Sequence, residues 1–379
     1  MSFGLYVHWP FCAAKCPYCD FNSHVRTSID EEDWTHAILS ELSHVAALQG
    51  EDRPILQTIF FGGGTPSLMS ARATGAVLDK AALLWRQANA VEITLEANPA
   101  SADAARFADY ALAGVNRLSL GVQALNDSDL KFLGRLHDTA QAKAALALAQ
   151  RSFARVSLDL IYARPGQSVE AWQSELAEAL SFGTEHLSLY QLTVEPATPF
   201  AALARTGSLA MPGDDLAAAL FEATQELTVA AGLPAYEISN HAREGAQARH
   251  NLIYWRYGAY AGVGPGAHGR LELGSKRIAT VCEKLPERWR EKVARDGHGF
   301  VETSEVSNEE AAREHLLMNL RLSEGIDLTA YRARWNMAPD GDRIAALASQ
   351  GFVTFESGRL RATPKGKLVL NRLIAELCD

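Results

Sequence analysis

The chain is 379 residues long, with 47% hydrophobic and 21% charged residues and a formal net charge of −9. Those proportions exclude a disordered chain, and the charge supplies no global attraction to nucleic acid or to an anionic lipid surface. The length suits one large core with a smaller satellite, so one or two domains are expected.

The amino terminus, MSFGLYVHWP, lacks a basic region, a long apolar run and a small-residue cleavage site, and no stretch of about 20 apolar residues occurs elsewhere. A cytoplasmic protein is expected, with transient membrane association left open. Over the first two thirds one pattern repeats: a short apolar or β-branched run, a polar or glycine-containing turn, then an amphipathic stretch. The apolar runs lie near 5–8, 55–61, 91–96, 115–121, 154–160 and 185–190; helical patterns follow near 31–49, 70–85, 101–112, 140–151, 168–181 and 214–231. Right-handed crossovers make such strands parallel and cover them with helices. Polar and glycine signals recur at the strand C-terminal ends, in FGGGTPS, EANP and GVQ. That is where barrel chemistry gathers. The reading is α/β, a partial (β/α)6 barrel over residues 1–232.

Residues 233–306 change character. YEISNHAREGAQARHNLIYWRYGAYAGVGPGAHG is rich in Gly, Tyr and His and reads as an extended loop or short-strand region near the barrel mouth; 278–306 reads as a helical linker. Residues 307–379 read as a compact α+β, winged-helix-like domain: helices near 308–322, 327–336 and 342–350, a hairpin in GFVTFESGRLRAT, and a last helix near 364–377. Such a shape often binds DNA. The acidic chain and the lack of a base-reading motif favour a packing or lid domain instead, and no nucleic-acid partner is expected.

Three of the five cysteines, Cys12, Cys16 and Cys19, have the spacing C-x3-C-x2-C, while Cys282 and Cys378 lie far off. An odd, clustered set is a poor disulfide framework. Three thiolates on one loop can hold three irons of a [4Fe-4S] cube and leave the fourth open to a small molecule, whereas structural zinc usually takes four protein ligands. Spacing alone leaves zinc and redox thiols as alternatives. Cys282 and Cys378 read as packing thiols. The GGGT run at 62–65 follows a strand directly and lets backbone approach a small polar ligand. It lacks the GK[ST] ending of a phosphate loop. Glu96 at a strand end belongs at the mouth, because an unpaired carboxylate is costly in the barrel interior.

The cysteine loop, with Tyr18 before its last cysteine, resembles the radical S-adenosylmethionine superfamily. The ordered set YVHWPFC, CDFNS, FFGGGTPS, LEANP, SLGVQ, LGRLH, DLIYARPGQS, YQLTVEPATPF, YEISNHA and HNLIYW runs through nearly the whole chain and is similar to the HemW family of heme chaperones, often labelled oxygen-independent coproporphyrinogen oxidase-like. The resemblance implies that the open iron chelates the methionyl group of S-adenosylmethionine, and that an electron passed to the sulfonium can release methionine and a carbon radical. It further implies that Gly63, Gly64 and Thr65 contact the methionyl part, that Tyr6 and Tyr18 flank cluster and cofactor, and that Glu96, Gln123, Arg135 and Asp159 bind the cofactor's polar groups.

Two functions follow from the resemblance. The related oxidase converts coproporphyrinogen III to protoporphyrinogen IX by radical decarboxylation, but its cysteine motif extends to C-x3-C-x2-C-x-C and here that position is Phe21. The reading preferred is therefore a chaperone that binds heme as cargo and passes it to an acceptor, of which a membrane-bound respiratory enzyme is one candidate. A reductant for the cluster is implied; whether the protein is catalytic, and whether it forms a homodimer, are left open. In HNLIYW, His250 can coordinate iron while Tyr254 and Trp255 cover the porphyrin, or the same residues can form a packed aromatic loop. His268 is an alternative ligand, and His8 another, although it reads better as a neighbour of the cluster.

Overall fold

The computed structural model describes residues 3–378, and the six repeats are present in it. They are β1 (Phe3–Trp9), α1 (Glu31–Leu48), β2 (Leu56–Gly63), α2 (Ala71–Leu84), β3 (Gln87–Ala97), α3 (Ala104–Ala113), β4 (Arg117–Gln123), α4 (Thr139–Ser152), β5 (Arg155–Tyr162), α5 (Val169–Ser181), β6 (His186–Gln191) and α6 (Asp214–Ala230). The helices begin where the sequence offers caps. Asp30, Ser70, Asp103, Asp138 and Ser168 each accept a backbone N–H of the first turn, and Asp138 completes a capping box with Gln141. Each such cap contributes about 1 kcal/mol. Two short helices in the loops, Asp127–Phe132 and Pro199–Arg205, were not expected from periodicity.

Strands β1 to β6 are neighbours in sequence order and all parallel. The sheet stays open, so the partial barrel is as expected. The region after residue 233 differs from its reading in two ways. HNLIYW is helical, in α7 (Arg249–Trp255), rather than extended, following the short β7 (Asn240–Ala242). The expected helical linker over 278–306 is helical only in α8 (Pro286–Asp296), with strands on both sides of it. β8 (Ala259–Val263) pairs in parallel with β1, and β9 (His268–Leu273), β10 (Lys276–Cys282) and β11 (Phe300–Glu305) add antiparallel strands beyond it. The physical cause is the exposed edge of β1, whose unpaired backbone groups recruit β8. The turn at Gly274 and Ser275, with Gly274 at φ +62°, then folds β10 back on β9. The result is an 11-stranded sheet in the order β11-β10-β9-β8-β1-β2-β3-β4-β5-β6-β7.

An ion pair closes the strand N-terminal end of the barrel. Arg117 lies 3.6 Å from Glu92, both 2% exposed, and its guanidinium also donates to Ser157 Oγ at 3.0 Å and to the Ala246 carbonyl at 3.1 Å. Glu92 in turn accepts the His250 backbone N–H at 3.1 Å, which seats α7 across the floor. Such a pair is maintained because removing either partner would strand a buried charge.

The carboxy-terminal unit runs through α9 (Asn308–Asn319), the strand Ile326–Asp327, α10 (Leu328–Trp335), α11 (Gly341–Ser349), the hairpin β12 (Val353–Glu356) and β13 (Arg359–Ala362), and α12 (Leu370–Cys378). Its three-stranded sheet, with β13 central, matches the winged-helix-like expectation. Leu316, Tyr331, Trp335, Leu360 and Leu373 form its core, which also takes in Tyr257 and Ala279 from the preceding region. No helix among the described residues is long and apolar enough to cross a membrane.

One buried carboxylate ties α1 to the added strands. Glu41, fully buried, accepts backbone N–H groups of Gly264 and Gly299, both at 2.7 Å, together with Trp289 Nε1 and the Cys282 thiol. Cys282 is thus a packed thiol, as read. Burial raises the Glu41 carboxyl from 4.5 to about 7 against the pull of those donors. A raised acid binds more protons folded than unfolded, so the wild type loses stability as pH rises from about 4.5 to about 7. Glu41→Gln lacks that titration and deprives one amide of its acceptor. We expect it to be less stable by about 1–3 kcal/mol at pH 5. The gap should narrow at pH 8. Urea unfolding at both pH values checks this, and a gap that stays constant or widens refutes it.

Candidate functional site

The cysteine loop is held at both ends. Phe11 and Cys12 pair in parallel with His24 and Val25, closing the loop between them. Phe11 packs edge-on against Trp9 at 5.2 Å and Trp34 at 5.0 Å, and Trp34 stacks on Trp289 at 5.7 Å. Each such pair adds about 0.5–1.5 kcal/mol beyond its buried area. Within the loop the three thiols are half-buried, and each has its own hydrogen-bonding partner. Thr65 Oγ1 donates to Cys12 Sγ at 3.3 Å, Arg135 Nη1 to Cys16 Sγ at 3.6 Å, and Ser23 Oγ lies 3.9 Å from Cys19 Sγ. Burial, and secondarily the neighbouring sulfurs, raise Cys12 and Cys19. A metal would displace those protons, and the surrounding donors would stabilise the resulting thiolates. The donor set therefore fits a group held by three thiolates.

The glycine turn supports the loop by close approach. Gly64 N–H donates to the Trp9 carbonyl at 2.7 Å and Thr65 N–H to the Phe11 carbonyl at 2.8 Å, while Gly63 N–H reaches Glu96. A Cβ on Gly64 would stand 2.7 Å from the Phe11 oxygen. The amides expected to face a ligand are thus spent within the protein, leaving carbonyls and the Thr65 hydroxyl. Gln123 sits at φ +75° just after an irregularity in β4, a strained conformation of the kind found at ligand sites. Arg135 Nη2 donates to the Gly121 carbonyl at 2.8 Å, and its buried Nε has no partner among the described residues. With Cys16, Thr65 and Asn98 it lines a cavity of about 80 Å³.

Glu96 and Asp159 point into the mouth. Burial, then Asp159, raise Glu96 to about 8. Burial raises Asp159 to about 6, opposed by hydrogen bonds from Ser188 and Ser119 and by Arg117 and Arg135. Tyr6 donates to His8 Nδ1 or accepts from it at 3.0 Å, and Tyr18 lies beside Cys16 and packs near Phe200 at 6.4 Å. Tyr6, Tyr18, Gly63, Gly64, Thr65, Glu96, Gln123, Arg135 and Asp159 therefore converge at the cysteine end of the barrel. Sequence reasoning missed Ser23, Asn22, Ser119, Ser188 and the barrel-facing Tyr190. Ser119 and Ser188 carried a usable signal, since they register beside Glu96 and Asp159 on neighbouring strands.

The heme candidates do not form one group. His250 is 1% exposed, and both ring nitrogens are engaged, Nδ1 with Thr58 Oγ1 and Nε2 with Tyr254 Oη, each at 2.7 Å. Its ring stacks on Phe60 at 5.1 Å, and burial lowers its pKa to about 3. As placed, it offers an iron no lone pair; the packed-aromatic alternative describes it. Tyr254 meets Tyr260 edge-on at 4.5 Å, and the Trp255 carbonyl accepts from Asn319 at 2.8 Å. His8 spends Nδ1 on Tyr6 and Nε2 on the Asn22 carbonyl, just beyond the cysteine loop. His268 is exposed at the start of β9.

A partial barrel with a three-cysteine loop at its strand C-terminal mouth defines a radical S-adenosylmethionine protein. The family model of the Radical SAM superfamily matches residues 6–178 and that of the HemN C-terminal domain residues 306–369. Membership of that superfamily brings a [4Fe-4S] cluster and S-adenosylmethionine. Among solved structures, coproporphyrinogen III oxidase (HemN) from Escherichia coli shares the fold with a TM-score of 0.82 over 99% of this chain and 89% of its own, at 21% identity. The Escherichia coli heme chaperone HemW is 38% identical over 98% of this chain and 97% of its own. The Bacillus subtilis heme chaperone HemW is 33% identical over 97% of both. The mouse radical S-adenosyl methionine domain-containing protein 1, mitochondrial, is 38% identical over 99% of this chain and 87% of its own. The chain belongs to the HemW family.

Two substitutions test the loop. Cys16→Ala should abolish stable iron incorporation on anaerobic reconstitution, read as bound iron and sulfide; full incorporation would remove Cys16 from the site. Gly64→Ala keeps every thiol but forces the Phe11 strand away, and should cost about 2 kcal/mol or more of stability together with lower iron retention.

Proposed function

We propose that the protein is a heme chaperone, binding heme and passing it to an acceptor protein, with the cluster held by Cys12, Cys16 and Cys19. The observation that carries this reading over the oxidase is Phe21. The oxidase motif requires a fourth cysteine there, whereas this chain presents an exposed aromatic ring, and its close full-length relatives are named as heme chaperones. The oxidase likeness at 21% identity is one of fold.

S-adenosylmethionine, when bound, supplies a ligand to the open iron and an acceptor for one electron. Arg135, whose Nε has no partner among the described residues, would face its carboxylate. Glu96, held largely protonated near neutral pH, would donate or accept a hydrogen bond at little desolvation cost, while Asp159, anchored by Ser119, would take a hydroxyl or amino group. Gln123, the Thr65 hydroxyl and the Gly63–Gly64 carbonyls complete the wall, with Tyr6 and Tyr18 excluding water. The acceptor fitting this reading is a heme-requiring respiratory enzyme at a membrane, met by the protein from the cytoplasm; a low-potential reductant would supply the cluster.

The reading separates from the oxidase in one anaerobic assay with reduced, reconstituted protein and S-adenosylmethionine. Coproporphyrinogen III should emerge unchanged, and heme should leave the protein for an apo-form of a respiratory heme enzyme. Vinyl product would establish the oxidase instead, and failure to bind heme at all would remove the chaperone reading.

A further inference from the structure

This inference rests on the reading that Arg135 faces the carboxylate of S-adenosylmethionine, and it concerns what holds Arg135 in place. Arg135 lies on the connection between β4 and α4, and a side chain on a loop is only as well placed as the backbone beneath it. Here the backbone is fixed by the short helix Asp127–Phe132. That helix ends in a left-handed turn: Gly134, at φ +70°, donates to the Lys131 carbonyl at 3.1 Å, and the Arg135 N–H donates to the Leu130 carbonyl at 2.9 Å. The direction in which Arg135 leaves the chain is thus set by the helix. Gly134 meets the cysteine loop so closely that a Cβ would stand 2.7 Å from Pro17 Cδ. Arg135 Nη1 then reaches Cys16 Sγ at 3.6 Å and Nη2 the Gly121 carbonyl at 2.8 Å. A helix that slid along the barrel would carry all of these contacts with it.

Buried charge holds the helix. Arg164, 2% exposed on the turn after β5, follows Ala163, whose φ of +58° is a costly conformation for a residue with a side chain. Its Nη2 donates to Asp129 Oδ2 at 2.8 Å and pairs with Glu175 of α5, and its Nη1 donates to the Ile161 carbonyl at 2.6 Å. Glu175 Oε1 accepts the Leu125 N–H at 2.7 Å, and Asp129 Oδ2 also accepts from Asn126 Nδ2 at 2.7 Å. One guanidinium therefore reaches the start of the segment through Glu175 and the helix through Asp129. Leu130 and Leu133 pack with Ile161 and Phe200 beneath. Apolar packing supplies burial, whereas directed charge-assisted hydrogen bonds supply register.

We propose that the Asp129–Arg164 pair is a positioning device for S-adenosylmethionine, holding the helix Asp127–Phe132 in the register that aims Arg135 at the cofactor's carboxylate. Asp129 is the partner that can be removed without unfolding the site. Its side chain is 31% exposed, and Arg164 keeps Glu175 when Asp129 is gone.

The test measures S-adenosylmethionine binding to the full-length, anaerobically reconstituted protein at matched iron content. Equilibrium dialysis gives the affinity, and the electron paramagnetic resonance spectrum of the reduced cluster reports the bound geometry. Asp129→Ala should load iron as the wild type does and weaken binding about tenfold. Arg135→Gln should weaken it at least as much. In the double variant Asp129→Ala should add little, because both changes act through one guanidinium. Arg164→Lys, which keeps the charge but loses the two-pronged geometry, should reproduce the loss. Wild-type affinity in Asp129→Ala beside an impaired Arg135→Gln overturns the positioning role and leaves the role of Arg135 standing. Losses that add in the double variant, or a loss in Asp129→Ala that folded Arg164→Lys does not share, also overturn it. Wild-type affinity in Arg135→Gln overturns the reading on which it rests.

Discussion

The constraint on which the mouth depends is the approach of the β2 end to the strand leading into the cysteine loop. Gly64 and Thr65 donate to the Trp9 and Phe11 carbonyls, and no side chain fits between Gly64 and Phe11. Everything at the mouth follows from that contact. It places the Thr65 hydroxyl on Cys12 and the Gly63 amide on Glu96. The aromatic series from Trp9 through Phe11 and Trp34 to Trp289 then carries the same anchorage out to α1 and α8. A loop that must hold three sulfurs at fixed separations needs such support, because a supporting shell left loose costs geometry before it costs stability.

The two ends of the barrel solve opposite electrostatic problems. At the floor, Glu92 and Arg117 neutralise each other and leave little for solvent or ligand. At the mouth, Glu96 and Asp159 are buried carboxylates near one another; burial raises both, and the neighbouring Asp159 raises Glu96 further, while Arg117 and Arg135 pull Asp159 back down. A protein spends stability in this way where a ligand will later offset it. The parallel strands make the separation automatic, because successive inward positions of one strand run from floor to mouth: Glu92 and Glu96 lie on the same strand, four residues apart.

Much of this was legible because it depends on local pattern. Alternating apolar runs and capped amphipathic stretches locate all six repeats to within a few residues, since a parallel strand and its covering helix each bury a periodic face. The cysteine spacing and the strand-end glycines are likewise local. What escaped depends on contacts distant in sequence. The strand identity of 276–282 and 300–305 arises from an unpaired sheet edge more than 200 residues earlier, which no short window contains. His250 looks like an available ligand in HNLIYW, yet Thr58 and Tyr254 occupy its nitrogens, and Thr58 lies on β2. Spacing can identify a histidine; only the fold assigns its lone pairs.

The added strands give the barrel a mechanical connection to the carboxy-terminal unit. His268 opens β9, and Arg270, two residues on, makes a two-pronged ion pair with Glu314 of α9. Arg277, paired to β9 through Glu272, lies over the Tyr257 ring at 3.8 Å, and Tyr257 stacks on His315 of the same helix at 5.4 Å. Arg334 of α10 also reaches Glu272 at 3.2 Å. These contacts join β9 and β10 to the winged-helix-like unit through partly desolvated charges, which are stronger than surface pairs and less tolerant of sliding. The carboxy-terminal unit is therefore fastened to the strands that follow His268 by charge and ring contacts on two of its helices, rather than joined to the barrel by the chain alone.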